Sequence, residues 1–183
     1  MEYKTLEKEI ILPEGVEFAR EGKEVTIKGP KGELKRKILD PSVDLEKTGD
    51  SLKLSFPILN KTNKRKLHTF AAHLDNMVRG VTEGYTYKLK ICSGHFPMNV
   101  ALKGDVVEIK NFIGESVPRK VKLKQGAEVK IDGDVINVTS TDKEIAGNTA
   151  GDLEKITRRK GFDKRIFQDG IYIIDKPKRE IQK

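Results

Sequence analysis

The 183 residues include no tryptophan and a single cysteine, Cys92. A lone thiol forms no internal disulfide, which suits a reducing compartment. No apolar run approaches the roughly 18–20 residues that a membrane-spanning helix needs, so no membrane partner is expected. The first residues, Met1-Glu-Tyr-Lys-Thr-Leu-Glu-Lys-Glu9, are acidic and lack the apolar core of a secretory signal, so a cytoplasmic protein is expected. Apolar residues make up only 36%, with seven Phe and four Tyr. Such a chain fills modest cores rather than one large core. Phosphate-loop spacing, a dinucleotide fingerprint and a serine-centred triad motif are all missing.

Charge is plentiful. Charged residues reach 35%, and 36 Lys and Arg stand against 28 Asp and Glu, for a net charge of +8. The acids are spread along the chain, which argues against a disordered basic tail. A basic, soluble α/β chain of this kind suits anionic partners, nucleic acid first. Residues 1–90 carry 18 basic and 14 acidic side chains, and residues 91–183 carry the same numbers. Local density differs more. Lys53, Lys61, Lys64, Arg65 and Lys66 occur with no acid between Ser51 and Phe70. Lys155, Arg158, Arg159, Lys160, Lys164 and Arg165 occur with Asp163 alone between Lys155 and Arg165. A basic run by itself is compatible with an ordinary solvated face.

The chain repeats itself. Gly22, Val25, Ile27, Lys28, Gly32 and Glu33 return as Gly104, Val107, Ile109, Lys110, Gly114 and Glu115, each 82 positions later. Gly49-Asp50 is echoed by Gly133-Asp134. Two copies of one unit follow from this. The first spans 1–82, a linker and returning strand spans 83–94, and the second spans 95–183.

Both copies predict the same elements. In the first, Val25 and Ile27 alternate with polar residues as a half-buried strand does. Gly29-Pro-Lys-Gly32 makes a hairpin turn, and Leu34, Arg36 and Ile38 continue with period two. Leu52, Leu54 and Phe56 form another strand. A helix from Asn63 to Arg79 carries Leu67, Phe70, Ala71, Leu74, Met77 and Val78 on one stripe, with Gly80 as its C-terminal cap. Tyr85, Tyr87, Leu89 and Ile91 return as a strand. In the second copy Val107 and Ile109, then Val117, Arg119, Val121 and Leu123, then Ile136 and Val138 read as strands. Thr141-Asp-Lys-Glu144 reads as a capping box for a helix running to Arg159. The expected fold is α+β: two tandem repeats, each an antiparallel sheet with one helix on a face. Small residues crowd that second helix, Ala146-Gly-Asn-Thr-Ala150-Gly151. Glycine costs a helix roughly 1 kcal/mol relative to alanine, so close packing against the sheet or a partner backbone is implied.

The copies differ beyond their helices. Four residues separate Gly80 from Tyr85, whereas eleven, Lys160 to Gly170, separate Arg159 from Ile171. Basic and aromatic residues mingle in this longer segment. Lys155, Arg158 and Arg159 would share a helix face. The helix dipole accounts for two such cations. It does not account for six in eleven residues together with Phe162 and Phe167. Phosphate contacts explain the cations, and Arg and Phe planes can stack on unpaired bases.

Other chemistry finds little support. His68, His73, Cys92 and His95 are zinc-compatible types. However, His68 and His73 sit five apart on a helix and point to different faces. Cys92 continues a strand alternation and reads as a packed thiol rather than a nucleophile served by His95. Asp132 and Asp134 flank a turn glycine and read as turn chemistry. No enzyme, metal or cofactor is expected. Tyr85 and Tyr87 are the only candidates for the exposed aromatic pair of a single-strand binder.

Gly29-Pro-Lys-Gly32-Glu33, His95-Phe-Pro-Met-Asn99, Thr139-Ser-Thr-Asp-Lys-Glu-Ile-Ala-Gly-Asn-Thr-Ala150 and the segment Arg158 to Tyr172 together resemble the large-subunit ribosomal protein L-six family, in its archaeal and eukaryotic form. The resemblance covers nearly the whole chain. It implies a structural component of the large ribosomal subunit that binds large-subunit ribosomal RNA near the sarcin–ricin loop. Neighbouring ribosomal proteins at the stalk base and nearby translation factors are the implied partners. It makes the second repeat the main RNA-binding domain, with Lys143, Lys155, Arg158, Arg159, Lys160, Phe162, Lys164 and Arg165 as its surface. Lys61, Lys64, Arg65 and Lys66 would make secondary contacts. The alternatives to weigh against it are a non-ribosomal RNA-binding module and a protein-interaction adaptor.

Overall fold

A computed structural model describes residues 6–37, 43–49, 51–56, 60–163 and 165–177. The chain divides after Gly84 into two compact units, each α+β with antiparallel sheets.

Unit 1 opens with β1 (Leu6–Ile11), β2 (Glu17–Glu21), β3 (Glu24–Gly29), β4 (Gly32–Lys37), β5 (Asp44–Thr48) and β6 (Ser51–Phe56), and closes with α1 (Lys61–Thr82). The strands make two three-stranded sheets, β1-β6-β5 and β2-β3-β4, one more than the single sheet expected. Period-two burial drives both. Leu52, Leu54 and Phe56 are fully buried while Ser51, Lys53 and Ser55 stay partly open. Burying each such apolar side chain contributes about 1.5–3 kcal/mol. Helix α1 lays Leu67, Ala71, Leu74, Met77 and Val78 of the predicted stripe against the same core, with Phe70 packed at its edge and Val81 added beyond the predicted helix end. Ile38 of the second predicted strand lies outside the described residues.

Both ends of α1 differ from expectation. It begins at Lys61, because Asn60 Oδ1 accepts the Asn63 backbone N–H at 2.6 Å. Gly80 is not its cap but a buried residue inside it. The helix persists because Val81 is fully buried and its carbonyl accepts the Lys31 backbone N–H at 2.9 Å. Gly84, at φ +74°, supplies the left-handed stop, its N–H reaching the Arg79 carbonyl at 3.2 Å. The β3–β4 turn therefore docks on the end of α1. A Cβ on Gly29 would lie 2.7 Å from a Val81 methyl and 2.9 Å from the Val81 carbonyl oxygen.

Unit 2 contains β7 (Tyr85–Cys92), β8 (Asn99–Lys103), β9 (Val106–Lys110), a 3₁₀ turn (Phe112–Gly114), β10 (Arg119–Lys122), β11 (Glu128–Asp132), β12 (Val135–Ser140), α2 (Lys143–Ile156) and β13 (Gly170–Asp175). The sheets are β11-β12-β7-β13 and β10-β9-β8. Their inner faces and α2 share one core around Leu89, Ile109, Ile136, Leu153 and Ile171. Val117 stands exposed ahead of β10, outside the strand expected to hold it.

The segment 83–94 is not a linker ending the first repeat. β7 pairs with β12, Leu89 opposite Ile136, and with β13, Ile91 opposite Ile171. It opens unit 2 as β1 opens unit 1, where β1 pairs with β6. Strand β13 consequently has no described counterpart in unit 1. The segments 81–84 and 160–170 are therefore not counterparts. What distinguishes unit 2 is a whole added loop and strand.

Helix α2 also needs two corrections. Its cap is Asp142, whose Oδ1 accepts the Glu144 N–H at 2.7 Å, one residue beyond the predicted Thr141. It ends at Ile156 and not at Arg159. Thr157 turns the chain: its hydroxyl donates to the Glu154 carbonyl at 3.1 Å and accepts the Ile171 N–H at 3.0 Å. Arg158 and Arg159 therefore do not continue the face of Lys155.

Candidate nucleic-acid interface

The segment from Thr157 to Gly170 is tied at two points. Thr157 holds its neck, as above. Farther along, Asp169 is buried and accepts the His95 backbone N–H at 3.0 Å and pairs with the ring Nδ1 at 2.6 Å. Burial alone would raise the Asp169 carboxyl, but the His95 N–H and ring and the Gly94 N–H outweigh it and hold the carboxyl below its ordinary value.

Between the ties runs a ladder of planar groups. The His95 ring lies 4.8 Å from Phe167, and Phe167 meets Phe162 edge-on at 5.0 Å. The Arg159 guanidinium covers Phe162 at 4.2 Å. Such contacts contribute about 0.5–1.5 kcal/mol each.

A cavity of about 250 Å³ opens beside the ladder. Its walls come from the Thr157–Gly170 segment, from β13 through Ile171 and Tyr172, and from Phe112 and Ile113. The last two belong to the β9–β10 connection, which spans Asn111 to Pro118 where unit 1 has the tight turn between Gly29 and Gly32. Asn111 and Ile113 adopt left-handed backbone at φ +57° and +48°. For branched Ile113 this costs roughly 1–2 kcal/mol. The buried Phe112 ring between them holds it in place. Arg119 lies 4.4 Å over that ring, makes a bidentate pair with Glu115 at 2.7 Å and donates to the Ile156 carbonyl at the end of α2. That Arg119 pairing holds the Glu115 carboxyl below its usual range.

The structure brings several predicted residues to this region. Lys155, Arg158, Lys160 and Arg165 are exposed. Arg158 leans 3.4 Å from Glu154 and stays open to solvent. Arg159 and Phe162 are half-buried in the ladder. Arg165 donates its backbone N–H to Asp163 Oδ1 at 2.9 Å. Lys143 stands apart at the opposite end of α2, its ammonium 5.7 Å above the Tyr85 ring. Lys164 lies outside the described residues. Lys61, Lys64, Arg65 and Lys66 occupy the exposed start of α1, with no acid in its first turn.

Sequence reasoning missed Asp169 and its pairing with His95. The two are 74 positions apart, and no local pattern joins them. Among the described residues no group of His, Cys, Asp and Glu is arranged to hold a metal. Tyr85 is buried, and Tyr87 packs on the unit 2 core, so neither offers a face to a single strand.

The profile of the family described as ribosomal protein L6 matches residues 12–84 and again 96–170. The chain belongs to the ribosomal protein L6 family. Its two matched stretches reproduce the internal duplication, and the family is structural rather than enzymatic. Among its relatives, the large ribosomal subunit protein uL6 of Methanobrevibacter smithii is 44% identical over 171 residues, 93% of this chain and 96% of the relative. The uL6 of Methanococcus vannielii is 39% identical over 93% of this chain and 94% of its own length. That of Haloarcula marismortui is 37% identical, over 93% and 96%.

Proposed function

We infer that this chain is a structural, non-catalytic component of the large ribosomal subunit, acting in the cytoplasmic ribosome, and that unit 2 grips large-subunit ribosomal RNA through the exit of α2 and the tethered segment beyond it. Membership of the L6 family supports the first part. One observation carries the second. The features that unit 2 has and the described part of unit 1 lacks, namely the long β9–β10 connection, the segment after Thr157 and strand β13, line one cavity. Exposed cations stand on that segment and on the last turn of α2. Lys155, Lys160 and Arg165 form no ion pair among the described residues. Arg158, Arg159, Phe162 and Lys164 complete the surface we propose, with Lys143 as a contact at the far end of α2. The start of α1 makes secondary contacts. Phosphates and folded shape, rather than base sequence, are what such a surface reads. A position near the sarcin–ricin loop and the stalk base, with neighbouring proteins and translation factors close by, completes the proposal.

The test uses the full chain and deproteinised large-subunit ribosomal RNA. Arg158→Glu with Arg159→Glu should weaken binding roughly tenfold or more near physiological salt, and the logarithmic salt slope should fall by about 0.7–0.9 for each phosphate that is no longer neutralised. Unaltered affinity would remove this surface from the account. Crosslinks from Lys160 that avoid the sarcin–ricin region would refute the location.

A further inference from the structure

The two small sheets, β2-β3-β4 and β8-β9-β10, are the same structure in two copies. β2 and β3 map onto β8 and β9 at the constant offset of 82, and the rungs agree: Lys35 faces Thr26 as Lys120 faces Glu108. Side chains alternate across a strand, so the outward positions can be matched one by one. In unit 1 they include Glu17, Glu21 and Glu24. The matching positions in unit 2 are Asn99, Lys103 and Val106. Lys28, Lys35 and Lys37 are kept as Lys110, Lys120 and Lys122. Glu33, opposite Lys28, gives way to Pro118 just before β10, and Thr26 becomes Glu108. The unit 1 face thus has three lysines against four glutamates. The unit 2 face has four lysines against one. The β8–β9 turn adds Asp105 where the β2–β3 turn has Lys23, which narrows the contrast without reversing it.

Glu108 does not cancel the lysines. It is buried at the centre of the face, with Lys103 2.5 Å, Lys120 3.8 Å and Lys110 3.9 Å from its carboxylate oxygens. The Lys103 ammonium against it holds its carboxyl below the ordinary range despite burial. All three of those lysine side chains stay more than half exposed. Lys122 is also exposed and makes no ion pair among the described residues. One buried carboxylate thus collects three ammonium groups on one face of the sheet, and their exposed charges are free to meet phosphates. Strand β10 joins this face to the first surface. Arg119 points inward to the end of α2, while Lys120 and Lys122 point outward.

We propose that the outward face of β8-β9-β10, through Lys103, Lys110, Lys120 and Lys122, is a second phosphate-binding surface for RNA. It rests on the RNA-binding reading above and extends it around β10. The duplication supplies the control. Lys120→Gln with Lys122→Gln and Lys35→Gln with Lys37→Gln remove the same charge at matching rungs of the two units.

The full chain of each variant would be titrated with deproteinised large-subunit ribosomal RNA at several salt concentrations, with circular dichroism confirming the fold. The unit 2 pair should lose roughly tenfold in affinity near 0.15 M salt and about 0.7–0.9 of salt slope per lysine, while the unit 1 pair changes neither. Equal loss in both pairs would reduce the effect to net charge and overturn the proposal. No loss in the unit 2 pair, with binding still sensitive to Arg158 and Arg159, would overturn this face alone and assign its lysines to an acidic protein neighbour. A wild-type chain whose binding ignores salt would bring down the RNA reading itself.

Discussion

Replacing Asp169 by alanine removes no cation, yet it should weaken RNA binding. The side chain lies almost wholly out of solvent and accepts from both the backbone and the ring of His95. Hydrogen bonds to an ionised group contribute about 1.5–3 kcal/mol, and the His95 ring, being partly exposed, recovers some of its loss from water. The local cost is therefore about 2–3 kcal/mol. The functional cost arises differently. Without the tie, His95, Phe167, Phe162 and Arg159 lose the anchor of their ladder, and binding must order them again. Ordering costs about 0.5–1.5 kcal/mol per side chain. If half of that order survives, about 1–3 kcal/mol is lost, and affinity falls roughly fivefold to a hundredfold at 1.4 kcal/mol per decade. The salt slope should stay at the wild-type value, because every phosphate partner is still present. Filter binding of the full chain across salt concentrations measures both quantities, and thermal melting confirms that unit 2 still folds. An unchanged affinity would refute the preorganisation of this segment. A reduced slope would show that cations had been displaced, and the entropy account would fail.

The same carboxyl sets a pH dependence. Its folded value lies below its unfolded value of about 3.9. The stabilisation is complete above the unfolded value and disappears as pH falls through the folded one. Melting temperatures measured from pH 6 down to 2.5 should drop more steeply in the wild type than in Asp169→Asn. Glycines in α2 should respond oppositely to alanine. Gly151 has open space where a Cβ would go, so Gly151→Ala should stabilise the chain by about 0.5–1 kcal/mol, read from urea midpoints. At Gly147 the Cβ would sit 3.0 Å from the Tyr87 hydroxyl, and that gain should shrink or reverse. Gly29→Ala forces a Cβ onto Val81 and its carbonyl and should destabilise unit 1 by about 1–3 kcal/mol.

Period two at Leu52, Leu54 and Phe56 and the stripe from Leu67 to Val78 are local consequences of burial, and both are legible in the residues alone. The 82-residue offset is equally legible, and it carries through to the structure, where β2 pairs with β3 as β8 pairs with β9. The partner of a strand is another matter. Alternation at Tyr85, Tyr87, Leu89 and Ile91 establishes that a strand exists, not which sheet receives it. β7 lies next to α1 in sequence but pairs with β12 and β13 across gaps of more than forty residues. Strands β1 and β5 escaped notice because edge strands bury little: Leu45 is the one buried residue of β5. Helix ends were misjudged for a related reason. Gly80 and Arg159 look like ends locally, but Val81 on Gly29 and Thr157 on Ile171 decide where the helices stop.

Locating β7 in unit 2 changes what the duplication means without weakening its functional use. Had β13 been the counterpart of β7, the later copy would differ at its end only by a longer return loop, and a long loop alone is as compatible with slack as with binding. Because β13 is additional, the segment before it must leave α2, run along the cavity wall and rejoin the sheet beside Ile91. Fully buried Ile171 fixes that return, Thr157 closes the neck on its N–H, and Asp169 stops the chain one residue before the strand. A segment closed in this way loses most of its conformational freedom when the protein folds, before any ligand arrives. Cations mounted on it meet a polyanion with less ordering left to do. The added strand therefore has a mechanical consequence at the proposed RNA surface: it converts a basic loop into a basic edge of the folded unit.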